Sequence, residues 1–161
     1  IIYNIPGRSI VDLSLDSFKE LNKISNIVAI KDASNDISRP LLMRTFMKKD
    51  FNYLSGEDGT IAGFLAQGGH GCITVAGNVA PKLTSELHKS WSQKQWKKFD
   101  KINLQLAPLS KVLFQEPNPT PTKYALSLMG FCTEEVRAPL IALSAKTKKD
   151  IKKVLKILKY I

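Results

Sequence analysis

The sequence predicts an α/β protein with a parallel sheet of about four βα units followed by a run of helices. Three observations carry this. Short apolar runs alternate with helical periodicities through the first half of the chain, the pattern of βα units. Gly and Pro punctuate the joins. Polar and aromatic residues (Tyr3, Arg8, Lys31, Asp32, Gly56, Glu57, Asp58, Asn78) gather just after the apolar runs, at the end of a parallel sheet where loops carry function.

The elements follow in order. Ile1–Ile5 reads as a strand stopped by Pro6-Gly7, and Asp16–Ile24 as a helix with Phe18, Leu21 and Ile24 inward. Asn26–Lys31 is a buried strand, and Arg39–Lys49 a helix with Leu42, Met43, Phe46 and Met47 inward. Phe51–Leu54 is a strand ending at Ser55-Gly56, Thr60–Gln67 a helix closed by Gly68-Gly69, and Gly71–Val75 a fourth strand. Helical patterns follow over Pro81–Trp91, Ser92–Phe114 and, after the Pro-rich stretch 116–121, Lys123–Met129. In the tail, Ile151, Val154, Leu155, Leu158 and Ile161 recur at helical spacing, with lysines on the remaining face. We assign residues 1–80 to a partial βα barrel and 81–161 to helices packing on it, with no linker between them.

Composition removes several classes. Hydrophobic residues make up 43% and charged residues 24% of the 161, which excludes disordered and collagen-like chains. No apolar run approaches the roughly 20 residues of a membrane span, and no signal peptide is visible. Cys72 and Cys132 are the only cysteines, which argues for a reducing, cytoplasmic setting over a disulfide scaffold or a zinc site. The net charge of +10 rests on lysines at helical spacing and on only four arginines, Arg8, Arg39, Arg44 and Arg137. That is the solvated side of amphipathic helices; neither nucleic acid nor membrane is expected as a partner.

Among the lysines, Lys31 stands apart, directly after Ile27-Val28-Ala29-Ile30, at the end of a run with no other charge. Alternation puts it on one face with Ala29 and Ile27. Apolar surroundings disfavour an ammonium, and a free amine is what condensation with a carbonyl requires. The alternative is a strand-end lysine that snorkels to water. Tyr3, at the end of the first strand, is either a proton-relaying phenol or a core tyrosine with its hydroxyl at the rim. Arg8, in the following loop, is either a fork for a substrate carboxylate or a surface arginine. Glu57-Asp58 have the spacing of neither paired-carboxylate hydrolysis nor a metal loop. His70, between glycines, reads as structural, and Gly68-Gly69-His70-Gly71 reads as a helix stop, since no Lys-Ser/Thr follows.

Tyr3-Asn4-Ile5-Pro6-Gly7-Arg8-Ser9, Ile30-Lys31-Asp32-Ala33-Ser34 and Ser55-Gly56-Glu57-Asp58 resemble the class I aldolase superfamily of N-acetylneuraminate lyase and dihydrodipicolinate synthase. Gly68–Val75 and Glu116–Lys123 are similar to further stretches of that family in the same order, and Arg8 favours the dihydrodipicolinate synthase branch. The resemblance implies a (β/α)8 TIM barrel, represented here by its C-terminal half and a helical extension. It implies a lyase in which Lys31 forms a Schiff base with pyruvate, Tyr3 relays protons, Arg8 holds the carboxylate of aspartate semialdehyde, and Gly56 and Ile73 line the pyruvate pocket. The reaction implied is condensation of pyruvate with L-aspartate 4-semialdehyde, leading to diaminopimelate and lysine. No metal or organic cofactor is implied, because the imine is the electron sink.

A full barrel takes about 250 residues. The likeness begins at what would be the fifth strand, and the family's Gly-Thr-Thr-Gly-Glu-like carboxylate loop has no counterpart here. The expectation is a fragment that works with a complementing N-terminal half, or as a homo-oligomer. The alternatives are an inactive remnant, another pyruvate-dependent aldolase of the superfamily, or a non-catalytic basic interaction protein. Open strand edges and an uncovered apolar inner face are expected of a half barrel.

Overall fold

The computed structural model describes residues 1–161. The chain forms two compact units, Ile1–Thr74 and Val75–Ile161. The sequence division is drawn at Ala80–Pro81; the compact units divide at Thr74–Val75. The intervening residues form a short helix whose Ala76 and Val79 are buried and which packs on later helices.

The first unit contains strands β1 (Ile2–Asn4), β2 (Ala29–Asp32), β3 (Asn52–Ser55) and β4 (Gly71–Cys72), all parallel and in the order β1-β2-β3-β4. Between them lie helices α1 (Pro6–Ser9), α2 (Leu15–Leu21), α3 (Arg39–Met43), a 3-10 turn (Asp58–Thr60) and α4 (Ile61–Ala66). Each strand pairs with the next in sequence, as successive units of a (β/α)8 barrel do. One rung aligns Tyr3, Lys31, Leu54 and Gly71; the next aligns Asn4, Asp32, Ser55 and Cys72. Successive rungs face opposite sides of the sheet. On the helix side, Ile30 and Tyr53 join Phe18, Met43, Met47, Phe51 and Phe64 in one buried cluster.

Local departures from the sequence pattern have tertiary causes. Helix α2 is capped by Ser14, which accepts from Ser17 N at 3.1 Å. It stops at Leu21 rather than Ile24, because the Asn22 side chain donates to Phe46 O at 3.2 Å and accepts from Lys48 N at 3.1 Å. Ile24 is left exposed. Helix α3 is regular only to Met43, and Leu42, expected inward, is exposed while Met43 and Met47 are buried. Strand β2 begins at Ala29, so Ile27 precedes it and packs on the helix-side cluster instead of sharing Lys31's face. Strand β4 is two residues long, and one more bond, from Ile73 N to Ser55 O at 2.9 Å, extends its ladder before the chain turns away.

The glycine punctuation acts as read. Gly68 ends α4 at φ 94, and Gly69 N donates to Phe64 O at 2.9 Å. A Cβ on Gly69 would lie 2.8 Å from that carbonyl oxygen and 2.3 Å from the Phe64 ring, so only glycine fits. His70 is structural: its N donates to Tyr53 O at 2.8 Å, its Nδ1 accepts from Tyr53 N at 3.1 Å, and its ring stacks on Tyr53 at 5.5 Å.

The second unit is helical: α5 (Ala76–Val79), α6 (Pro81–Ser92), α7 (Trp96–Leu113), α8 (Thr120–Leu128) and α9 (Ala145–Ile157). Helix α7 packs on α6 and α9, and α8 on α9. Lys94, at φ 57, makes the turn between α6 and α7, where Trp91 packs against Trp96 and Phe99. Helix α8 starts at Thr120, ahead of the expected Lys123: Thr122 Oγ1 donates to Asn118 Oδ1 at 2.6 Å, and Asn118 Nδ2 to Leu113 O at 2.6 Å. On α9, Ile151, Val154 and Leu155 are buried, Ile161 lies beyond the helix and is exposed, and Lys149, Lys152, Lys153 and Lys156 face solvent. No helix is long and apolar enough to cross a membrane.

Phe18 is fully buried at the centre of the first unit's cluster. Phe18→Ala is expected to cost about 3–5 kcal/mol in urea unfolding followed by circular dichroism. Ser144 caps α9 by accepting from Thr147 N at 3.2 Å. Ser144→Ala is expected to cost about 1 kcal/mol in the same measurement.

Candidate functional site

The rung Tyr3–Lys31–Leu54 lies on the sheet face away from the helices. Lys31 and Tyr3 are direct register partners, and Lys31 Nζ stands 3.9 Å from the centroid of the Tyr3 ring. An ammonium over a phenol ring is held by the ring's negative face. Lys31 is half-buried and Tyr3 is 48% exposed, so Tyr3 is not a core tyrosine. Two residues on, the same face carries Ile5, Ala33, Gly56 and Ile73. Gly56 matters here for close approach: a Cβ on it would lie 3.0 Å from Lys31 Cε, 3.1 Å from Lys31 Cγ and 3.0 Å from Ala33 Cβ. Its absence leaves the channel in which the lysine stem lies.

Three expected site residues, Lys31, Tyr3 and Gly56, are thus brought together. Ile73 sits one position past the Ser55–Cys72 pair, at the level of Gly56, with an exposed side chain. Arg8 lies in the one-turn helix α1 directly after β1, at the same end of the sheet, and is exposed. The sequence reads that segment as a loop. Its turn is closed by Arg8 N and Ser9 N, which both donate to Ile5 O at 2.9 Å. Arg8 thus lies at the end of the sheet that carries the pair.

Beneath this face runs a buried polar layer. Asn4, Asp32 and Ser55 occupy one rung on the helix side and are 2%, 5% and 1% exposed, unlike the apolar positions that precede them. Asn4 Nδ2 donates to Asp12 Oδ1 at 2.8 Å, and Asn4 Oδ1 accepts from Leu13 N at 3.2 Å. Arg39 donates to Asp12 Oδ2 at 2.6 Å and to Leu13 O at 2.9 Å. Its Nε lies 3.4 Å from Asp32 Oδ2, within ion-pair range but out of line, and neither atom has a hydrogen bond. Asp32 Oδ1 accepts from Ser34 N at 2.7 Å. Sequence reasoning finds Asp32 as a strand-end acid but misses Asn4, Asp12 and Arg39. The available signal is a polar residue on the helix-facing parity at the end of three successive strands.

Other groups carry no site chemistry. The Cys72 thiol is pushed up to about 11 by burial and by the nearby Asp58 charge, so it stays protonated at neutral pH. Partial burial lowers the pKa of His88. No group of three or more His, Cys, Asp or Glu side chains comes together in a way that could hold a metal ion.

Burial pushes the Asp12 carboxyl up, but hydrogen bonds from Arg39 and Asn4 and the Arg39 charge outweigh it and hold it below the usual 3.8. A depressed carboxyl stabilises the fold above its unfolded value and loses that contribution as pH falls through its folded value. The wild-type chain is expected to exceed Asp12→Asn in urea midpoint at pH 7. That gap should shrink steadily when the titration is repeated from about pH 4 downward.

The sequence profile of the Dihydrodipicolinate synthetase family matches residues 1–158. The 4-hydroxy-tetrahydrodipicolinate synthase of Bradyrhizobium diazoefficiens is 47% identical over 148 residues, 92% of this chain and 50% of that protein. Among solved structures, dihydrodipicolinate synthase from Aquifex aeolicus superposes with a TM-score of 0.94 at 34% identity, covering 99% of this chain and 55% of that one. The chloride-inhibited synthase from Acinetobacter baumannii, solved in complex with pyruvate, superposes at 0.91 with 36% identity, covering 99% of this chain and 55% of that one. The chain therefore spans about half the length of the relatives it matches. The parallel four-stranded sheet is half of their barrel architecture, and with this profile match, this identity and this superposition the chain belongs to the dihydrodipicolinate synthetase family.

Proposed function

We propose that the chain carries the Schiff-base half of a pyruvate-condensing lyase, with Lys31 as the amine. The observation that carries this is the rung itself: Lys31 Nζ 3.9 Å from the Tyr3 ring centroid, with Gly56 clearing the lysine stem. A free Lys31 amine adds to the C2 carbonyl of pyruvate to give a carbinolamine. Loss of water, with the Tyr3 phenol relaying the proton, leaves the imine. Loss of a C3 proton gives an enamine, which attacks the aldehyde carbon of aspartate semialdehyde and forms the new C–C bond. Hydrolysis of the resulting imine releases the product and restores the amine. Arg8, exposed at the mouth, is assigned to the semialdehyde carboxylate, where a guanidinium binds in bidentate fashion. Gly56 and Ile73 are assigned to the wall of the pyruvate pocket.

On this reading the chain acts with a complementing half that supplies the rest of the barrel, or within a homo-oligomer that does so. The exposed inner face supports this: Ile1, Tyr3 and Ile73 are 69%, 48% and 42% exposed, and β1 and β4 lie at open edges of the sheet. A compartment that keeps Cys72 and Cys132 reduced, the cytoplasm, is assigned on the same footing.

Borohydride trapping with pyruvate tests the reading. The chain combined with the upstream half of a relative should give a reduced pyruvyl adduct on Lys31 by peptide mass spectrometry, and the chain alone little or none. Absence of the adduct in the combined protein, or an adduct that survives Lys31→Ala, overturns it. Tyr3→Phe, which keeps the ring and removes the hydroxyl, should slow trapping roughly hundredfold. Gly56→Ala should also slow it, because its methyl crowds the lysine stem and the Ala33 Cβ.

A further inference from the structure

We propose that Arg39 is a positioning residue for the Lys31–Tyr3 pair: one guanidinium clamps the ends of the two strands and the base of the loop that carries Arg8. This rests on the Schiff-base reading above and goes beyond it, because Arg39 sits on the opposite side of the sheet from the amine.

The argument runs along the backbone. Strands β1 and β2 end at Asn4 and Asp32, each immediately after its site residue. The end of a strand is where a ladder frays and where the separation and twist of two neighbours are least constrained. Here both terminal residues are buried and tied to the same group. Arg39 reaches Asn4 through Asp12, at 2.6 Å and then 2.8 Å, and reaches Asp32 at 3.4 Å. The Asn4–Asp32 rung is thereby held from the helix side, one residue beyond the Tyr3–Lys31 rung on the open side. A slip or twist between the strands at the outer rung carries the ring and the amine apart at the inner one.

The same clamp closes a loop. The chain leaves β1 at Asn4, passes through Arg8 and returns at Asp12 and Leu13. There Asn4 binds both of them, and Arg39 binds the Asp12 carboxylate and the Leu13 carbonyl. Lys31, Tyr3 and Arg8 therefore all hang from segments that converge on one side chain. A clamp built for stability alone has cheaper solutions, since a buried ion pair is often matched or bettered by packed apolar residues. Arg39 is 8% exposed, and its Nε and Asp32 Oδ2 approach without forming a hydrogen bond. The guanidinium satisfies the loop with two good bonds and reaches Asp32 through charge, a geometry suited to spanning three segments at once.

The test uses the full chain combined with its complementing half, with active sites counted by borohydride-trapped Lys31. Arg39→Lys keeps the charge but lacks the fork that spans Asp12 and Leu13 together. Arg39→Met removes both, and Asp12→Asn weakens the link to Arg39 alone. The turnover number per trapped site should fall at least roughly tenfold in Arg39→Lys and further in Arg39→Met, since small misplacements of reacting groups are costly. The KM for aspartate semialdehyde should rise with it as the Arg8 loop loosens. The double variant Arg39→Met/Asp12→Asn should be no worse than Arg39→Met, because the two act through one connection. A structural role alone lowers the melting temperature and the number of trappable sites but leaves turnover per site at the wild-type value; that result overturns the proposal, as do additive losses in the double variant. If the Arg39 variants do not fold, the half-exposed Asp12 decides, and wild-type turnover per site in Asp12→Asn overturns the clamp. Failure of the wild-type protein to trap pyruvate on Lys31 brings down the Schiff-base reading, and the clamp with it. Trapping at wild-type rate in folded variants brings down the clamp alone.

Discussion

The parallel register that sets Tyr3 opposite Lys31 is the constraint on which the rest of the site depends. A slip of one residue would exchange every side chain between the two faces. The lysine would then enter the apolar cluster around Phe18 and Ile30, and Asp32 would face the open side. Burying an unpaired ammonium or exposing Ile30 are both costly, so the same apolar packing that stabilises the unit also selects the register that pairs amine and phenol.

The sheet separates two kinds of work. Its helix side is closed, apolar along most of its depth and polar only at the carboxyl ends, where Asn4, Asp32 and Ser55 sit among hydrogen-bonding partners. Its opposite side is open and carries the candidate residues in two levels, Tyr3 and Lys31 below, Gly56 and Ile73 above. Gly56 on the open side makes room for a side chain from the neighbouring strand, and no larger residue fits without moving it. The chain spans about half the length of its relatives, and its inner face remains exposed.

Much of this was legible in order along the sequence. The four strands, the principal helices, the glycine stop after α4 and the amphipathic tail helix all follow from local periodicity and turn chemistry, which act over a few residues. Lys31 stands out because it closes an apolar run that holds no other charge, and Tyr3 because it lies near a strand end, whereas Gly56 and Ile73 are singled out by the family resemblance. The misreadings have a common cause. Helix α2 stops early because Asn22 binds a segment 24 and 26 residues away, and Leu42 faces outward because α3 meets its neighbours through Met43 and Met47. Short helices such as α1 and α5 carry too few residues for a period to show.

The sequence by itself determined the class of fold, the order of its elements and the candidate residues, because these depend on alternation, helical spacing and residue type within short windows. Only the tertiary structure decided that the amine stands 3.9 Å from the phenol ring centroid, and that the buried Asn4, Asp32 and Arg39 join the half-exposed Asp12 in one layer behind them. Those contacts join residues as many as 28 positions apart. Their geometry is set by strand register and helix packing, which no local window contains.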